Sequence, residues 1–198
     1  MLIGLTGNIG SGKTSIARIF RKHGFRILDA DRIAHRILGN EAFHEVIKQF
    51  GNKIITRNKI DRKKLGRIVF SNKSKLDSLS KIIWPYVIAK IKSEANKYPR
   101  DKLIVDAALL IESGLYRSMH KIILVKINPE IQIKRLLRRK KHTKEIIEKI
   151  IVTQLPQDKK EKYADYVIEN SGSYNETKTQ VAEIVEKIIK SPASYDSL

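Results

Sequence analysis

The segment Gly7-Asn8-Ile9-Gly10-Ser11-Gly12-Lys13-Thr14 has the residue types and the spacing, G-x-x-x-x-G-K-T, to hold the phosphates of a nucleotide. Its glycines let successive backbone N–H groups converge on one anion, and a helix opening at its end adds partial positive charge. Lys13 supplies a fixed cation for the β- and γ-phosphates, and the Thr14 hydroxyl is suited to ligate Mg²⁺. Gly10, Ser11, Gly12, Lys13, Thr14 and Ser15 are therefore the expected nucleotide-binding residues. Carboxylates stand at two further places where chemistry can be done. Asp29-Ala30-Asp31 and Asp106 each close a short apolar run, and in an α/β sheet the carboxyl ends of strands line the ligand crevice. A carboxylate at position 29 or 31 can accept a proton from an attacking hydroxyl or hold Mg²⁺ through water. The competing role is to cap the following helix, with Asp31 as N-cap. Asp106 has two equal readings, a Mg²⁺ contact of the Walker B type or the cap of a helix beginning near Leu109.

These residues need a scaffold, and the apolar pattern supplies one. Leu2–Thr6, Phe25–Asp29, Lys102–Asp106, Lys121–Ile127 and Tyr166–Glu169 read as short strands separated by helical patterns, which predicts a parallel sheet covered on both faces. After the glycine loop, Ile16, Ala17, Ile19 and Phe20 share a helical face that stops near Gly24. Asn128-Pro129-Glu130 reads as an N-cap, a proline at the first helical position and an acid in the first turn. Val181, Ile184, Val185, Ile188 and Ile189 form the stripe of a final helix. Two regions interrupt the alternation. Residues 37–97 read as a helical insert without a core strand, and 135–162 form a strongly basic stretch with two helices, suited to a mobile lid. Residues 191–198 are a polar tail with little reason to be ordered.

A chain of 198 residues with 41% hydrophobic content is most simply one domain with small inserts. No apolar run approaches the ~18 residues of a membrane span. Met1 leads directly into the first strand, so no signal peptide is expected and the chain reads as cytoplasmic. The absence of cysteine excludes disulfides, thiolate catalysis and Cys-based zinc sites, and the five histidines show no metal-ligand spacing. Forty Lys and Arg against twenty-one Asp and Glu give a formal net charge of +19. Compositional bias spread over solvated faces is the leading explanation, and a charge-focused phosphate site is the second. The basic residues have no aromatic interleaving, so a nucleic-acid surface is the weakest of the three explanations.

Other users of glycine loops fit poorly. Asn58-Lys59-Ile60-Asp61 matches the guanine-reading N-K-x-D, but it follows the loop too soon, with no D-x-x-G between and no apolar strand to close. A dinucleotide-binding Rossmann loop is excluded by the G-x-x-G-x-G spacing followed by Lys-Thr.

The ordered series of motifs resembles the dephospho-CoA kinase family over nearly the whole chain. Its pieces are Gly4 to Thr14, Asp29-Ala30-Asp31, Phe50-Gly51, Ile60-Asp61-Arg62, Val69-Phe70, and Asp106 with Leu109-Leu110-Ile111-Glu112. Gln132 to Arg139, Gln154 and Ala164 to Gly172 complete it. The family usually has Gly at Asn8, His-Pro at Trp84-Pro85, Pro at Ala108 and an acid at Lys140. The resemblance implies an α/β P-loop kinase core with a five-stranded parallel sheet flanked by helices, a helical acceptor-binding insert and a basic helical lid. It assigns 1–36, 98–134 and 163–190 to the nucleotide-binding core, 37–97 to the acceptor domain and 135–162 to the lid. The implied activity is transfer of the ATP γ-phosphate to the ribose 3′-hydroxyl of dephospho-CoA. ATP and Mg²⁺ lie on Gly10–Ser15 in that reading, and Asp31 orients or deprotonates the acceptor. Arg139 is the lid arginine, with Arg135 or Arg138 assisting, and Asn170 to Gly172 form a backbone contact loop near adenine. Competing expectations are a P-loop kinase for another small hydroxyl compound and, on net charge alone, a nucleic-acid-associated ATPase.

Overall fold

In a computed structural model, residues 1–99, 101–139 and 143–190 are described, and the tail 191–198, Lys140 and His142 lie outside them. Five strands form one sheet: β1 (Leu2–Thr6), β2 (Arg26–Asp29), β5 (Leu103–Asp106), β6 (Lys121–Lys126) and β7 (Tyr166–Glu169). Two two-residue strands, β3 (Ile55–Thr56) and β4 (Lys59–Ile60), pair only with each other. The helices are α1 (Lys13–Lys22), α2 (Ala30–Gly39), α3 (Phe43–Phe50), α4 (Arg62–Phe70), α5 (Lys73–Lys97), α6 (Pro129–Arg138), α7 (Lys144–Val152), α8 (Gln157–Glu161) and α9 (Tyr174–Lys190). Contacts divide the chain into two compact units, one holding Met1–Leu28 with the described residues from Pro99 onward, the other Asp29–Tyr98.

In the first unit the sheet order is β2-β5-β1-β6-β7. The chain therefore visits β2 and β5 on one side of β1 before it turns to β6 and β7 on the other. That reversal leaves a crevice at the carboxyl end of β1, which is where the glycine loop emerges. Parallel register sets Gly4 beside Val105 and Ile122, and Leu5 beside Asp106 and Ile123. Strand alternation sends Ile3, Leu5, Ile104, Ile123, Val125 and Ile168 to one face, where Ile16, Ile19 and Phe20 of α1 and the α9 stripe bury them. Phe20 and Phe25 meet edge to face at 5.4 Å, closing the turn between α1 and β2. Ile189, the last member of the expected stripe, is exposed, because it lies at the stripe's edge where Ile188 already covers the sheet. On the opposite face Gly4 admits Leu110, whose Cδ2 would lie 2.5 Å from any Cβ there.

In the second unit α5 buries Ile83, Val87 and Ile91, one face read at i, i+4 and i+8. Pro85 sits inside this helix, beside the half-buried Trp84. Arg57 and Asn58 both have positive φ, 49° and 57°, as a two-residue primed hairpin turn between β3 and β4 requires. Asp61 then caps α4. Its carboxylate accepts the N–H groups of Lys63 at 2.9 Å and Lys64 at 3.1 Å and the Thr56 hydroxyl at 3.2 Å. These bonds, the Lys64 N–H foremost, hold its carboxyl below the usual carboxylate range. Asn58-Lys59-Ile60-Asp61 is thus a hairpin turn and a helix cap. Asp61→Ala should lower the melting temperature and Asp61→Asn should restore it, because Asn caps as well as Asp. ATP-against-GTP competition should be unchanged in both variants; a shift in base preference would return this segment to guanine reading.

Candidate functional site

A loop that gathers its N–H groups around an anion must turn its carbonyls away. Thr6 ends β1, and Gly12, at φ 96° and ψ 14°, forms the N-cap of α1 without any side-chain capping bond. The N–H groups that open α1, those of Lys13 and Thr14, have no acceptor within the helix, which makes them donors for an anion. Around them the loop carbonyls are occupied. The Gly7 carbonyl accepts the Lys13 ammonium at 3.1 Å, and the Asn8 carbonyl accepts the Ser11 N–H at 3.0 Å. The Ile9 carbonyl accepts Gln132 Nε2 at 2.6 Å, and the Ser11 carbonyl accepts Asn170 Nδ2 at 2.6 Å. Ser15 N–H reaches back to the Gly12 carbonyl at 2.9 Å. Asn170 is held in turn by the Thr177 hydroxyl, which donates to its Oδ1 at 2.8 Å.

The cradle has no room for side chains. A Cβ on Gly12 would lie 2.1 Å from Asn170 Nδ2, and one on Gly10 2.9 Å from Leu136 Cγ of α6. Arg135 lies one helical position before Leu136, and its Nη1 is 3.9 Å from the same Gly12 Cβ position. Among the described residues, Ser11 Oγ and Asn8 Oδ1 are buried and find no hydrogen-bond partner. A glycine cradle, an uncapped helix start, Lys13 and a half-buried guanidinium together fit a nucleotide's phosphates. Thr14 and Ser15 are exposed in the first turn of α1, open to such a ligand. Among the described residues no group of three His, Cys, Asp or Glu side chains is arranged to hold a metal ion. Mg²⁺ held through Thr14 and phosphate oxygens requires no such cluster.

The acidic candidates separate. Asp29, with φ −83° and ψ 98°, is the N-cap of α2, and its carboxylate accepts the Arg32 N–H at 2.8 Å. The expected capping role of Asp31 therefore belongs to Asp29, since α2 begins at Ala30, two residues before a cap at Asp31 would start it. Asp31 is half-buried in the first turn of α2, within the second unit. Asp106 ends β5 beside Leu5, half-buried, in the unit that carries the glycine loop. No α-helix begins near Leu109; residues 108–113 are turns leading to a 3₁₀ segment, Leu115–Ser118, so the α-helix cap expected of Asp106 has no helix to serve. Arg139 is exposed at the C-cap of α6, its N–H donating to the Leu136 carbonyl at 3.2 Å. Sequence reasoning assigned no role to the side chains of Gln132, Gln154 and Asn170, because an amide that holds a remote peptide group leaves no local pattern.

The dephospho-CoA kinase family model matches residues 1–176. A dephospho-CoA kinase of Fusobacterium nucleatum is 42% identical over 95% of this chain and 98% of its own. Among solved structures, one from Thermus thermophilus superposes with a TM-score of 0.84 at 29% identity, covering 96% of this chain and 98% of that one. Dephospho-CoA kinase from Campylobacter jejuni gives 0.65 at 30% identity, covering 94% and 96%. The chain belongs to the dephospho-CoA kinase family. Kinases of this family use ATP, in keeping with the cradle. No helix among the described residues is long and apolar enough to cross a membrane.

Gly12→Ala should weaken ATP and ADP binding roughly 10- to 100-fold, from ~1–3 kcal/mol of backbone strain plus the Asn170 clash. Gly24 serves as the control, with φ 83° and nothing within 4 Å of its Cβ position. Gly24→Ala should cost stability while leaving nucleotide affinity intact, as calorimetric titration of both variants will report.

Proposed function

We propose that this protein transfers the γ-phosphoryl group of ATP to the ribose 3′-hydroxyl of dephospho-CoA, the closing step of coenzyme A formation. The observation that carries this reading is the family match over residues 1–176, which includes the whole phosphate cradle. In the reaction a bond forms between the 3′-oxygen and the γ-phosphorus. The bond to the β,γ-bridging oxygen breaks, ADP leaves, and the hydroxyl proton is taken up by a carboxylate. Gly10, Ser11, Gly12, Lys13, Thr14 and Ser15 hold the ATP phosphates, and Lys13 exchanges its Gly7 carbonyl for phosphate oxygen. Thr14 is the residue that would hold Mg²⁺, which when bound neutralises charge on the β- and γ-phosphates. Asp31 orients and deprotonates the acceptor hydroxyl, a role supported by its place in the first turn of α2, just after the end of β2. Residues 37–97 bind the acceptor, and 135–162 close over the nucleotide from the core formed by 1–36, 98–134 and 163–190. Arg139 stabilises charge on the transferring group, with Arg135 beside Gly12 assisting. A cytoplasmic location accords with this biosynthetic role.

The test is product analysis. The protein is incubated with ATP·Mg²⁺ and a panel of hydroxyl acceptors, and the phosphorylated compound is identified; dephospho-CoA left unmodified while another acceptor reacts would overturn the assignment. Within the reaction, Asp31→Asn should lower kcat by ~10²–10⁴-fold with little change in ATP affinity. Asp29→Asn should cost much less, since Asn retains the cap. Arg139→Ala should lower kcat toward the ~10³–10⁵-fold losses of arginine fingers. Steady-state kinetics on the three variants check both assignments, and an Asp31→Asn enzyme of normal kcat would send the search for the base elsewhere.

A further inference from the structure

One residue of the glycine loop is gripped from two directions, through the peptide units on either side of it. The Ile9 carbonyl accepts Gln132 Nε2 at 2.6 Å, and the Ile9 N–H donates to Gln154 Oε1 at 2.8 Å. Gln132 lies on α6, just before the basic stretch that begins at Arg135, and is 3% exposed. Gln154 follows α7 on the returning side of the same stretch. A neighbouring bond reinforces the second grip, as Asn8 Nδ2 donates to the Leu155 carbonyl at 3.3 Å. The return stem is anchored in its own right. Leu155 N–H donates to Glu112 Oε1 at 3.0 Å, and the fully buried Lys160 ammonium reaches Glu112 Oε1 at 3.0 Å and the Ala108 carbonyl at 2.9 Å.

We propose that Gln132 and Gln154 are positioning residues that fix the orientation of the Ile9 peptide units, and so set the affinity of the glycine loop for nucleotide phosphate. The inference rests on the phosphate-binding role given to the loop above. Its physical basis is the sign of a carbonyl dipole. An Ile9 carbonyl released from Gln132 is free to rotate inward, where its partial negative charge opposes the phosphates. An Ile9 N–H released from Gln154 must seek another acceptor, which turns the preceding peptide. Both stems of the 133–153 segment thereby bear on one residue of the loop, and neither glutamine needs to touch the nucleotide.

The experiment measures ADP affinity by calorimetry, with thermal unfolding and steady-state kinetics alongside, for Gln132→Met, Gln154→Met and the double variant. Methionine keeps the volume and removes the hydrogen bond. Each single variant should bind ADP roughly tenfold more weakly and show a raised KM for ATP, the loss expected for one such bond. KM for dephospho-CoA should move little. The double variant should lose less than the product of the two single losses, because both bonds restrain the same residue. Glutamate separates hydrogen bonding from charge. Gln154→Glu retains an acceptor for the Ile9 N–H, whereas Gln132→Glu confronts a carbonyl with a carboxylate. The added charge is common to both, so Gln154→Glu should bind ADP distinctly better than Gln132→Glu.

Folded methionine variants with lowered melting temperature and unchanged ADP affinity would overturn the proposal, leaving the two bonds purely structural. Equal affinities for the two glutamate variants would do the same, and this comparison stands even if Gln132→Met does not fold. Wild-type protein that binds ADP but leaves dephospho-CoA unphosphorylated would sink the functional reading alone, since the clamp is read from ADP binding.

Discussion

The constraint on which this structure turns is the disposal of carbonyl groups in the glycine loop. Each peptide that points its N–H at a phosphate carries a carbonyl that must find a donor elsewhere, or it turns inward and repels the ligand. Lys13, Gln132 and Asn170 supply side-chain donors to Gly7, Ile9 and Ser11, and the Ser11 and Ser15 N–H groups serve Asn8 and Gly12. These donors come from α1, α6 and the segment after β7. The loop is therefore a product of the whole first unit, although its motif occupies eight consecutive residues.

The same problem recurs at the ends of β6 and β7, where the ladder partners run out. Ile127, just past β6, has both backbone groups taken by the side-chain amide of Gln157, at 2.8 and 2.9 Å. Glu169 at the end of β7 is held in the same way by Gln180, at 2.8 and 2.9 Å. A glutamine amide carries a donor and an acceptor on one planar group and so satisfies both backbone groups of one residue at once. At Ile9 the task is divided between two glutamines. That division is what links the loop to both ends of the basic segment, where one residue would have linked it to a single element.

The strands were legible because each is a short apolar run, buried on both faces where it lies inside the sheet. The structure trims the expected ranges by at most one residue at an end, as at Phe25 and Ile127. The glycine loop was legible because its chemistry is local. Asp29 and Asp31 were not separable, since either acid satisfies a capping pattern and the choice depends on where β2 stops hydrogen bonding. Leu109-Leu110-Ile111 looked helical from its apolar content, yet these residues form turns that send Leu110 beneath Gly4. Gln132, Gln154 and Asn170 were silent as loop supports because their partners lie 123, 145 and 159 residues away in the chain.

Lys160 shows how such distant requirements shape composition. In a chain with forty basic residues, a fully buried ammonium is costly unless its desolvation is offset by close partners. Glu112 and the Ala108 carbonyl offset it, and Glu112 Oε1 simultaneously receives the Leu155 N–H. A hydrophobic replacement would fill the volume, but it would leave the Glu112 carboxylate, 11% exposed, without its cation beside the stem that carries Gln154. The pair therefore joins the turn after β5 to that return stem, and through Gln154 to the loop at the end of β1. A chain of polar contacts thus runs from Ala108, Lys160 and Glu112 through Leu155 and Gln154 to Ile9, tying the glycine loop to a buried ammonium far from it in the sequence.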